Sequence, residues 1–116
     1  MAKKDTAKYA DSRRYLKDAE WRIKRMLKEK RDYSDDYDFF ITNEALEAKA
    51  SVAYAIWKLP PRVTEQTRDA IEGLTNIIGG ITVAVGMMED EQDEALEVFQ
   101  DLIGEIEYVD EDILSI

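Results

Sequence analysis

An all-α fold, a four-helix bundle-like single domain over residues 1–116, is what this sequence predicts, and three observations carry that expectation. Apolar residues recur at steps of three and four along nearly the whole chain, the spacing of helices that each bury a face. Two prolines and five glycines punctuate 116 residues, so breaks are few. Where a β-rich stretch does occur, "ITVAV", no second strand is available to pair with it. A chain of this length can bury roughly 65% of its unfolded surface in one core.

The first helix is expected within residues 1–31, from about Thr6 to Arg31. Tyr9, Ser12, Leu16, Ala19, Ile23, Met26 and Leu27 fall on one of its faces. The following "DYSDDYDFFI" interrupts the period with serine, aspartates and aromatics and reads as a loop. Its Tyr33, Tyr37, Phe39 and Phe40 would lid the core or, less simply, anchor a partner. A second helix is expected over residues 42–59, ended by Leu59-Pro60-Pro61, where the residue before proline leaves the helical region. It is apolar on two sides: Ala48, Val52, Ala55, Ile56 and Leu59 make one stripe, and Leu46, Ala50, Ala53 and Trp57 another. Such a helix is central in a bundle or lies at a subunit interface.

The third helix is expected over residues 63–88, with Thr64 as N-cap. Ala70, Ile71, Leu74, Ile78, Ile81, Val85 and Met88 keep the helical period through Gly79-Gly80. The pair costs about 1 kcal/mol per residue relative to alanine, so the helix is continuous or kinked there. Gly73, Gly80 and Ala84 share one side, where another backbone can approach closely. A fourth, acidic helix is expected over residues 90–108, seamed by Leu96, Phe99, Leu102, Ile103 and Ile106, with residues 109–116 as a tail that frays or caps the bundle.

Charge is distributed very unevenly. Residues 1–31 hold 12 Lys/Arg against 5 acids, while residues 32–116 hold 4 against 21, within a chain of net charge −10. From Glu89 onward there are 12 acids and no base. No cysteine or histidine is present. Disulfides, thiolate nucleophiles, Cys- or His-ligated metals and the commonest general base are thereby excluded. Four serines, none in a nucleophile elbow, give no hydrolase signature. Asp32, Asp35, Asp36 and Asp38 lack the glycine turn and closing glutamate of a calcium loop. No enzyme activity, metal or cofactor is expected. The basic start has no apolar stretch behind it, and "LTNIIGGITVAVGMM" is short and interrupted for a membrane span. The chain reads as soluble and cytoplasmic.

Two surfaces remain as candidates. On the last helix, Asp93, Glu94, Glu97, Asp101 and Glu105 fall opposite the apolar seam. Like charges four residues apart cost a helix a few tenths of a kcal/mol, so this stripe does not serve the helix itself. A solubilising face neutralised by the first helix is the plain reading. The sharper one rests on density: 12 charges over 24 residues amount to about one per 3 Å of helix, close to the ~3.4 Å phosphate spacing of one nucleic-acid strand. A protein partner with a basic nucleic-acid-binding surface would meet a mimic of its ligand. In size and charge alone, such an inhibitor is similar to small phage-encoded anti-defence proteins. On the first helix, Trp21 stands opposite the apolar seam among Arg14, Lys17, Lys24, Arg25 and Lys28. That composition suits phosphate contacts with base stacking, although lysine and arginine stems also cover a packed tryptophan. The expected function is therefore a non-enzymatic protein-binding module acting through its acidic stripe. The alternatives are a nucleic-acid binder using the first helix and an assembly protein that self-associates through the second and third.

Overall fold

The computed structural model describes residues 9–28, 35–60 and 64–116. Among these it contains four helices: α1 (Ala10–Lys28), α2 (Asp35–Trp57), α3 (Glu65–Met87) and α4 (Gln92–Leu114). Each packs on two neighbours, α1 on α2 and α4, α3 on α2 and α4, while the diagonal pairs do not pack closely. The result is a four-helix bundle. Cross-helix bonds set the directions. Ser12 Oγ donates to the Ala55 carbonyl at 2.7 Å and Ser51 Oγ to Asp18 at 2.6 Å, so α1 and α2 run antiparallel. Gly73 lies against Val109 and Gly80 against Leu102, so α3 and α4 do the same.

The core follows the expected faces with small rotations. On α1, Ser12, Leu16, Ala19, Ile23 and Met26 are buried, with Tyr9 and Leu27 half-buried beside them. On α2, Ile41, Ala45, Ala48, Val52, Ala55 and Leu59 face inward. On α3 the seam sits one residue earlier than the spacing predicts: Ile77 and Ala84 are fully buried, while Ile78 and Val85 are half-buried. Phe99 is the largest of the enclosed side chains. At about 25 cal/mol per Å² of apolar surface, each such residue contributes roughly 1.5–3 kcal/mol.

Three boundary expectations are corrected. The segment read as a loop after the first helix is helical from Asp35, seven residues before the expected start at Thr42; aspartates in a first turn complement the helix dipole. The aromatics Phe39 and Phe40 thus belong to α2, Phe39 exposed and Phe40 half-buried, while Tyr33 and the side chain of Tyr37 lie outside the described residues. The tail is helical too. α4 runs to Leu114 and buries Val109, Asp110 and Ile113, because their steps of three and four continue the Ile106 seam. At its other end α4 starts at Gln92, so Glu89, Asp90 and Glu91 lie in the turn before it and not on the helix.

α3 is continuous through Gly79-Gly80 and starts as expected, with Thr64 Oγ1 accepting from the Thr67 amide at 3.2 Å. By length and composition α3 would suffice to cross a membrane, its most apolar 18 residues reaching a mean hydropathy of 1.4. The run expected to be short and interrupted for a span, "LTNIIGGITVAVGMM", covers only the C-terminal part of this 23-residue helix. In the bundle its Ala70, Leu74, Ile77, Ile81 and Ala84 are buried in the common core.

Candidate functional site

The acidic stripe is where the helical projection puts it. Asp93, Glu94, Glu97, Asp101 and Glu105 are all exposed on α4. The ion pairs of the described residues show which acids α1 engages, Lys3, Lys4, Lys8, Lys30 and Arg31 lying outside them. Arg13 donates from Nε and Nη2 to the two carboxylate oxygens of Asp110 at 3.0 and 3.1 Å, and Lys17 Nζ stands 3.7 Å from the same group. Lys24 reaches Glu107 at 3.9 Å. The bases of α1 therefore engage the flank of α4 that turns toward them. Among the described residues, Glu94, Glu97, Asp101 and Glu105 have no lysine or arginine within ion-pair distance.

The far flank of α4 opens on a groove shared with α3, about 720 Å³ in volume. Asp101 and Glu105 form one wall, and Asp69 and Glu72 of α3 the other. Asp112 adds a fifth carboxylate, and no base lines it. Tyr108, 71% exposed, stands at its edge. The groove exists because α3 and α4 approach closely at glycine. A Cβ on Gly73 would meet Val109 Cγ2 at 2.5 Å, so only glycine lets Val109 seat between the helices. Gly104, with open space where a side chain would stand, leaves the α4 wall low. Asp93, Glu94 and Glu97 are not part of the groove but continue its charge toward the start of α4.

Sequence reasoning missed Asp69, Glu72 and Asp112. The signal was present in part: Asp69 and Glu72 are one turn apart and border the small-residue side of α3. What the spacing could not supply is the register that sets Gly73 opposite Val109. Repulsion within the stripe is real. The Glu94 carboxyl is held above the usual carboxylate range, first by a hydrogen bond with Glu91 and by that residue's charge, then by Glu97 and Asp93.

The basic patch presents a different picture. Trp21 is 55% exposed on the outer face of α1, with the Arg25 guanidinium 5.3 Å from its ring centre and 5.9 Å from that of Phe40. Its bases carry local acids: Arg14 with Asp11 at 3.1 Å, Lys17 with Asp110, Lys24 with Glu20 at 3.2 Å, and Arg25 with Glu44 at 4.0 Å. Lys28 is exposed at the helix end. Beside the patch, Arg22 bonds Asp18 at 3.0 Å, which raises its pKa, and reaches Glu44 at 3.4 Å. A seam of alternating charges thus ties α1 to α2. Among the described residues no group of three acids converges as a metal site would require.

Comparison of the chain with protein families, with curated proteins and with solved structures gave no match.

Proposed function

We propose that this bundle is a non-enzymatic binding module that docks a cationic protein surface on the α3/α4 face. The observation that supports the reading is the asymmetry of charge pairing. Bases on α1 take up Asp110 and Glu107, whereas Glu94, Glu97, Asp101 and Glu105 of the stripe and Asp69, Glu72 and Asp112 of the groove have no base within ion-pair distance among the described residues. Unneutralised charge on a shaped surface raises the local concentration of a cationic partner and steers its approach. The groove would take lysine or arginine side chains between its two acidic walls, with Tyr108 offering a ring face to a guanidinium.

The class of partner this fits best is a protein whose basic groove holds nucleic acid. The mimicry is of charge and not of a continuous rod. Three of the 12 terminal acids precede α4, and Glu107 and Asp110 turn toward α1. Nucleic-acid binding through Trp21 and its neighbours is the weaker reading, since most bases of that patch already carry local counter-charges.

The test is capture from a nuclease-treated lysate of the native host, comparing the wild type with the triple variant Glu97→Lys/Asp101→Lys/Glu105→Lys. A partner retained at low salt, released by added duplex or single-stranded nucleic acid and lost with the triple variant supports the reading. Retention of the same partner by the triple variant at roughly 150 mM salt, where exposed charges are screened beyond ~8 Å, overturns it.

A further inference from the structure

The face of α2 turned away from the core is largely apolar, and it is exposed among the described residues. Phe39, Asn43, Leu46, Ala50, Ala53 and Trp57 follow one another at steps of four, three, four, three and four. That is the seven-residue repeat by which one helix seats its side chains between those of another. Phe39 is 73% and Trp57 82% exposed, with Leu46 and the flanking Tyr54 about half exposed. This is the second apolar stripe of the two-sided helix, and the bundle uses the first alone.

We infer that this face pairs with the same face of a second copy of the chain, forming a two-fold dimer through α2. Three features favour a copy of this chain as the occupant. The first is area. Aromatic side chains bury roughly 150–250 Å² each, so Phe39, Tyr54 and Trp57 with Leu46 and Ala50 offer on the order of 500 Å² per copy. That is the larger part of the ~800 Å² per partner in an interface of standard size. The second is charge. Each chain carries −10, so copies repel through most orientations, yet the six seam residues carry no charge. The acidic α4 sits diagonally across the bundle from α2, with which it does not pack closely. Pairing through α2 therefore keeps the two most negative faces farthest apart. The third is the repeat itself, which presents an identical seam on both members and closes under a two-fold axis without leaving a free end.

Sedimentation equilibrium or light scattering on the intact chain tests this at micromolar concentrations. The expected mass is twice the 13.4 kDa of one chain. Leu46→Glu and Trp57→Glu each place a charge in the seam at an exposed position, and are expected to keep the helical circular dichroism while weakening association by about 30-fold or more. Val83→Glu, at an exposed site of α3, is expected to leave the dimer intact. A wild type that stays monomeric up to 100-micromolar order overturns the inference. So does a dimer that survives both seam variants, or one lost equally with Val83→Glu. None of these outcomes bears on the α3/α4 groove, so the two proposals fail separately.

Discussion

Arg13 and Asp110, 97 positions apart, form a two-point salt bridge that ties the first turns of α1 to the last turns of α4. Asp110 is buried, 8% exposed, and Arg13 is held above its ordinary pKa first by this hydrogen-bonded pairing. A carboxylate in that position is tolerated because Arg13 and Lys17 both face it.

Removing Arg13 leaves the Asp110 charge buried with only Lys17 near it. Arg13→Ala is expected to destabilise the fold by about 1–3 kcal/mol, between the range of exposed pairs and that of fully buried ones. Urea denaturation of Arg13→Ala, Asp110→Asn and the double variant provides the check. The double variant should lose less than the sum of the single ones, because replacing both partners removes the stranded charge.

Two glycines of α3 should respond in opposite directions to alanine. Gly79 faces open space, so Gly79→Ala gains helix propensity and is expected to stabilise by about 0.5–1 kcal/mol. Gly73→Ala drives a methyl into Val109, whose branched side chain has little rotamer freedom within a helix. Overpacking of that kind costs about 1–3 kcal/mol, so this variant is expected to melt lower. Thermal unfolding of the pair would contradict the packing at Gly73 if both changes raised the melting temperature.

Repulsion at the start of α4 has a pH signature. Glu94 is held above the usual carboxylate range by Glu91 and its neighbours, so the folded chain binds that proton more tightly than the unfolded one. Its contribution to stability therefore grows as pH falls through the raised pKa and levels off below the ordinary carboxylate value. Glu91→Gln removes the neighbouring carboxylate that acts most strongly on Glu94 and is expected to return it toward its ordinary range. Side-chain carbonyl chemical shifts followed through an acid titration read this directly. A Glu94 midpoint unmoved by Glu91→Gln would locate the cause elsewhere.

Much of this architecture is legible from spacing alone. The seam of α1, the N-cap at Thr64 and the two-sided character of α2 all follow from which residues recur every three or four positions. The readings that failed did so where charge masked periodicity. In "DYSDDYDFFI" the aspartates read as a loop, yet aspartate is favourable at a helix start. The final residues, expected as a tail that frays or caps the bundle, continue the helix, and the counter-charge that holds Asp110 there lies on a helix almost a hundred positions earlier. The stripe on α4 was visible as a face of one helix. The groove was not, because its second wall is set by how α3 and α4 settle into each other at Gly73 and Val109. That register depends on packing, which a one-dimensional pattern does not contain.

The diagonal arrangement of α2 and α4 governs stoichiometry. A dimer built on α2 would carry its two acidic grooves on opposite outer sides, pointing away from one another. One such dimer bridges two partner molecules and does not clamp a single one from both sides. Avidity would then appear only toward targets displayed in arrays or themselves paired, and an isolated target in solution would be bound with the strength of one groove.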